Sequence, residues 1–366
     1  MFRTRFVLFA AFICSLFGST KAAAQPAGRF AYLTGTIGKT PITVLLHQHG
    51  STVEGHYYYQ KTQVPLAFRG QLTGDSLTFV ASGPSVDEEF KALWKGGAAS
   101  GVWINNNRKG QSLPLQLTVD ATRSGWFQYV YTTGTTYLFP TKKSDTSPQA
   151  TYTEGAVWPT AGLPAPLRPV FENAIRRGAD LGQAASPQGP LVQRKNEFLK
   201  TYRKENARVS PKEVENAPGA YMASHDAHLT FAYLSDQLAV LSSFVYDFTG
   251  GAHGNYATTY QTIDLRTGRT LALTDLLSPA GRRKLPALLE KAFRQQFRVR
   301  PGESLESAGL FANRITPGTN FYLTATSLVF TYPPYEIGPY ALGEISLAVA
   351  LTNFTAGELT RQPGER

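Results

Sequence analysis

Cysteine is almost absent: the 366-residue chain has one, Cys14, inside the apolar stretch near its start. Removal of that stretch leaves no thiol, which excludes disulfides, thiolate nucleophiles and Cys-ligated zinc. Charge is also scarce. Asp, Glu, Lys and Arg make up 17% of the chain, against 42% hydrophobic residues. A disordered chain needs the reverse balance, so a folded protein is expected. There is no G-x-S-x-G, P-loop, G-x-G-x-x-G or H-E-x-x-H motif. The local signatures of serine hydrolases, NTPases, dinucleotide enzymes and zinc proteases are therefore missing. After the first 24 residues no apolar run approaches the roughly 20 residues that cross a bilayer.

What is present begins with an export signature. Arg3 and Arg5 precede the apolar run Phe6 to Phe17, and Ala22-Ala23-Ala24 supplies small residues for cleavage. Residues 1–24 read as a secretory signal, which places the protein in the periplasm or outside the cell. Loss of Arg3, Arg5 and Lys21 lowers the formal charge from +10 to +7. The mature chain is expected to have no membrane span. Nucleic acid is not an expected partner outside the cytoplasm, although nine basic residues fall between Arg266 and Arg300. They read first as a solvated helix face, and second as a surface for an anionic envelope polymer.

Residues 25–140 alternate polar and apolar side chains. Ile42, Val44 and Leu46 share a face, and Tyr57 and Tyr59 lie opposite Tyr58. Turn signals such as Gly50-Ser51 and Gly74-Asp75 recur at short intervals, predicting an antiparallel meander or small barrel. Residues 85–95 read as one short helix. Residues 141–168, rich in Pro, Thr, Ser and Ala, read as a linker. Residues 169–366 mix helices (169–178, 190–206 and 278–299) with strands (about 219–247, 256–264, 321–332 and 343–350). Ser278 and Pro279 suit the start of the third helix, and Pro286 marks a kink or restart. The fold class expected is an all-β domain followed by an α+β domain with a mixed sheet and packed helices.

Two runs stand out as candidate sites. Gly250, Gly251 and Gly254 surround Ala252 and His253. Clustered glycines imply backbone angles that other residues avoid, or close approach of another segment. The run Pro334-Tyr335-Glu336-Ile337-Gly338-Pro339-Tyr340 stiffens a loop with proline while displaying tyrosines and a carboxylate. Rigid tyrosines suit protein or sugar recognition. Both runs are also readable as scaffolding. His47, His49 and His56 flank a hairpin turn in a pattern open to Zn²⁺. His225 and His228 stand three apart, so in a strand they point to opposite faces. Surface histidines are the simpler reading of both groups, and no metal or other cofactor is expected.

The stretch FVYDFTGGAHGNYATTYQTIDLRTGRTLALTDLL, the following helix, and NFYLTATSLVFTYPPYEIGPYALGEISLAV together resemble an RsiV/PdaC-type extracytoplasmic domain over about 165–355. Such domains occur in lysozyme-sensing anti-sigma factors and beside the catalytic domain of some peptidoglycan deacetylases. The resemblance implies an α+β fold and a binding or sensing role at the cell envelope. Neither a deacetylase domain nor the anti-sigma cytoplasmic segment is found here. The leading expectation is a non-enzymatic exported protein that binds a peptidoglycan-related ligand or a lysozyme-like enzyme, with His253, Tyr335, Glu336 and Tyr340 at the site. One alternative is an envelope glycan or peptide hydrolase using Glu336 and His253 as acid and base. Another is a small-ligand carrier that uses the N-terminal barrel.

Overall fold

The computed structural model describes residues 28–83, 86–141 and 147–360. The predicted signal and Cys14 lie outside the described residues. The alternating segment folds as β1 (Arg29–Ile37), β2 (Thr40–His49), β3 (Thr52–Tyr59), β4 (Leu66–Thr73), β5 (Ser76–Gly83), β6 (Val86–Lys95), β7 (Ala98–Asn105) and β8 (Gln111–Val119). These strands form a closed antiparallel barrel, in which β8 returns to pair with β1. Closure removes the edge strands that would otherwise invite aggregation. Leu33, Val44, Tyr57, Phe79, Phe90 and Leu117 are buried in one cluster inside it. Their side chains fill the space that a carrier would need open.

The segment expected as a helix at 85–95 is a strand from Val86 to Lys95. Glu88, Phe90, Ala92 and Trp94 are buried in alternation, whereas Leu93 is 59% exposed. Leu93, three residues after Phe90, gives the segment a helix-like spacing although it faces solvent.

The second part runs through α1 (Ala121–Ser124), β9 (Phe127–Tyr137), β10 (Gln149–Pro159), α2 (Arg168–Gly178), α3 (Gln188–Glu205) and α4 (Pro211–Asn216). Then come β11 (Ala223–Leu234), β12 (Leu238–Phe248), β13 (Asn255–Asp264), α5 (Leu273–Leu276) and α6 (Pro279–Phe297). The chain closes with β14 (Phe321–Leu323), β15 (Ser327–Tyr332) and β16 (Ile345–Ala350). Five strands form a mixed sheet in the order β13-β12-β11-β10-β9, with β10 parallel to β11 and the other pairs antiparallel. β14, β15 and β16 make a small separate sheet. The expected fold class is the one observed. α6 runs unbroken through Pro286, and the Ser278 hydroxyl accepts from the Gly281 N–H at its start.

Of the linker expected over 141–168, residues 142–146 lie outside the described residues, and the described remainder is built into the fold. Gln149–Pro159 is an inner strand of the five-stranded sheet, and almost every residue in it is buried. A strand covered on both faces shows no alternation, so its Thr, Ala and Gly content read as loop. β9, expected with the N-terminal strands, pairs with it in the same sheet.

This sheet has two different coverings. On one face Phe198 of α3 packs 5.4 Å from Tyr152, and Arg194 of α3 pairs with Glu154. The other face meets the outside of the barrel. Phe30, Leu45 and Tyr58 point out of the barrel and share a core with Tyr129, Phe231 and Tyr233. The Tyr58 hydroxyl donates to the Leu234 carbonyl at 3.1 Å. β2 is therefore buried on both of its faces, Val44 and Leu46 inward and Leu45 and His47 outward.

Candidate functional site

The two runs singled out in the sequence come together at the surface. Gly250 (φ +88°) and Gly251 (φ +100°) adopt a backbone that side-chain-bearing residues rarely reach. At Gly254 a Cβ would sit 2.5 Å from the Tyr246 ring, so only glycine lets the chain pass there. This turn delivers His253 onto Tyr340, with ring centroids 4.0 Å apart and an interplanar angle of 22°. Tyr335 follows at 5.8 Å from Tyr340, and Tyr256 meets Tyr340 edge-on at 5.9 Å. Tyr335 is 53% exposed, and Glu336 and His253 are exposed beside it.

The Pro-Tyr segment is held in a tight turn. The Tyr335 N–H donates to the Gly338 carbonyl, and the Glu336 N–H to the Pro333 carbonyl. Tyr335 takes φ +71° within it. Pro334 and Pro339 fix the backbone on either side of Tyr335. Gly338 packs against Leu342, whose Cδ1 a Cβ would approach to 2.9 Å. Partial desolvation by its neighbours raises the Glu336 carboxyl above its ordinary range. His253 Nδ1 contacts the Gly254 carbonyl at 3.0 Å. Among the described residues no hydrogen bond or ion pair joins His253 to Glu336. The two side chains of the hydrolase alternative thus make no direct polar contact with each other.

A second cluster lies where the barrel meets the sheet. β2 turns His47 and His49 outward, β3 turns Glu54 and His56 outward, and β11 supplies Asp226 and His228. His228 is 3% exposed and sits between two carboxylates. Its Nδ1 lies 2.8 Å from Glu54 Oε1 and its Nε2 lies 2.5 Å from Asp226 Oδ1. The Tyr129 hydroxyl is 2.5 Å from the same Nδ1. Arg69 of β4 donates to Asp226 Oδ2 at 2.9 Å. His225 points to the other face, as the spacing predicted, where it meets Asp247 at 2.7 Å and stacks on Tyr152.

The electrostatics follow from these contacts. Burial alone would push the His228 imidazole down, but the two carboxylates outweigh it and raise its pKa to about 9. Burial works against ionised Asp226, yet His228 and Arg69 bring that carboxyl down to about 2. Glu54 is likewise held below the usual carboxylate range by His228, against its burial. At His47 and His56 the pull of Glu54 is too weak to offset burial. Burial drives them down to about 3 and about 4, so both stay neutral. His49 Nε2, His47 Nδ1 and His56 Nδ1 are buried without a hydrogen-bond partner.

Glu54 and His228 also line a cleft of about 370 Å³ between barrel and sheet. Thr230, Ser242, Thr258 and Tyr260 lie along it, and Glu344 stands among them. Glu344 accepts from the Thr258 N–H at 3.0 Å, but its burial prevails and raises its pKa to about 7.

The histidines were each visible in sequence, but they were grouped differently. The donor atoms that gather are those of His49, Glu54 and His228. Arg69, Tyr129 and Glu344 gave no local signal, since each comes from a different strand or loop.

Residues 274–351 match the model of a family described as a protein of unknown function, DUF3298. The chain is similar to the crystal structure of a member of the DUF3298 family from Bacteroides fragilis. The TM-score is 0.53 at 23% identity, covering 65% of this chain and 94% of that one. A DUF3298 family protein from Pseudomonas aeruginosa gives a TM-score of 0.45 at 16% identity, covering 65% and 97%. The first likeness concerns the fold alone. No curated protein matches the chain.

Proposed function

We propose that this protein is a non-enzymatic binding protein exported to the bacterial cell envelope, and that the His253–Tyr340–Tyr335 surface docks a peptidoglycan-related glycan. The observation that carries this reading is the stack of His253 on Tyr340 at 4.0 Å, continued by a half-exposed Tyr335. Flat rings held rigidly at a surface offer contact area at small entropy cost. Sugar rings present apolar faces to such a platform, and the exposed Glu336 carboxylate accepts from their hydroxyls. The signal-like first 24 residues and the RsiV/PdaC-type resemblance of the second half support an envelope setting.

The test is co-sedimentation of the full chain with purified peptidoglycan, beside a lysozyme pull-down. The expected result is retention on peptidoglycan that Tyr335→Ala weakens by roughly tenfold or more, about 1.4 kcal/mol. Retention on lysozyme alone moves the ligand to a wall-degrading enzyme. Retention on neither removes the proposal.

A further inference from the structure

We infer that His49, Glu54 and His228 form a binding site for a zinc-class divalent cation at the seam between barrel and sheet. Their donor atoms, one from each residue, all lie within 4.8 Å of one another. Two imidazoles and one carboxylate make a donor set that suits Zn²⁺. The arrangement is also close to the right size. Donors held 2.0–2.2 Å from one tetrahedral ion lie about 3.4 Å apart. Here Glu54 Oε1 is 2.8 Å from His228 Nδ1 and 4.0 Å from His49 Nε2. Two imidazoles on one such ion have ring centroids about 5 Å apart; those of His49 and His228 are 5.3 Å apart.

Two further observations point to a ligand. His49 is 9% exposed, and its Nε2 is buried with no hydrogen-bond partner, turned toward Glu54. A buried ring nitrogen left without a partner is unfavourable, and a cation would supply one. His228 is oriented as metal-bound histidines usually are. Its far nitrogen, Nε2, is held by the Asp226 carboxylate at 2.5 Å, which leaves Nδ1 as the donor. Arg69 in turn fixes Asp226. The cation would take the place of the proton that Glu54 and His228 share. The Tyr129 hydroxyl, 2.5 Å from His228 Nδ1 and 3.3 Å from Glu54 Oε1, stands beside the fourth position. Glu54 and His228 line the cleft as well, so a water on the cation has a path to solvent. A cation here runs against the expectation of no metal, and the site shares no residue with the aromatic surface.

The experiment is titration of the metal-free, untagged full chain with Zn²⁺ by calorimetry, with Co²⁺ absorption as a second measurement. Binding of one Zn²⁺ per chain and the visible bands of four-coordinate cobalt are expected. His49→Ala leaves the Glu54–His228 pair intact and should keep the fold while losing affinity by roughly 100-fold or more. Asp226→Asn, which acts through His228, should cost roughly 10–100-fold. His225→Ala should bind as the parent does. Absence of stoichiometric Zn²⁺ binding, a six-coordinate cobalt spectrum, or unchanged affinity in a folded His49→Ala would each overturn the inference.

Discussion

Glu54 Oε1 and His228 Nδ1 meet at 2.8 Å, although one residue belongs to the barrel and the other to the five-stranded sheet. The contact is a buried ion pair with a second carboxylate, Asp226, on the far side of the imidazole. Two charges taken out of water hold the fold only while both are present.

Removing the imidazole should therefore be severe. His228→Asn leaves the buried Glu54 carboxylate without its mate, at a cost of about 3–5 kcal/mol, whereas Glu54→Gln leaves His228 paired with Asp226 and should cost less. The double variant should cost less than the sum of the two, since neither charge then remains unpaired. Urea denaturation of the three variants checks this. A loss below about 1 kcal/mol in His228→Asn would show that water reaches the pair.

Glu344 sets a pH dependence. Its folded pKa of about 7 lies above the ordinary carboxyl value of 4.5. A raised carboxyl stabilises the fold fully below about pH 4.5 and loses that contribution as pH rises through 7. At pH 8 the ionised, buried side chain should leave the parent less stable than Glu344→Gln by on the order of 2 kcal/mol. At pH 4 the two should agree. Equal melting curves at both pH values would refute the burial argument.

The glycine turn and the exposed tyrosine separate structure from docking. Gly250→Ala places a Cβ 2.5 Å from the Ala220 carbonyl oxygen, at a φ that alanine rarely adopts. It should lower stability by about 1–3 kcal/mol and weaken peptidoglycan retention with it. Tyr335→Ala should weaken retention and leave the melting temperature unchanged. A Tyr335→Ala protein that melts early would assign this residue to the fold.

Inside the barrel, Glu88 accepts from the Tyr57 hydroxyl at 2.5 Å and the Trp103 Nε1–H at 2.7 Å. Tyr59 adds a third contact at 3.2 Å. Glu88→Ala strands two buried donors, at about 1–3 kcal/mol for each. Thermal denaturation should show a loss of roughly 2–5 kcal/mol, and near-neutral behaviour would mean that water replaces the carboxylate.

The barrel was legible because Ile42, Val44 and Leu46 repeat a period of two between turns, and the third long helix because Ser278 and Pro279 mark its start. The two unusual runs are expected at one site, but nothing local says that the His253 ring stacks on Tyr340. β10 was missed because burial on both faces erases alternation. The His49–Glu54–His228 cluster was missed for a related reason. Its members are ordinary in their own strands, and become a site only when the outside of one sheet packs on the face of another.

That β2 is dry on both sides has a practical corollary. A protease that nicks the backbone between Val119 and Phe127 would produce two fragments that remain clasped by Phe30, Leu45 and Tyr58. Size exclusion without denaturant would report an undivided molecule, and only a denaturing gel would reveal the break.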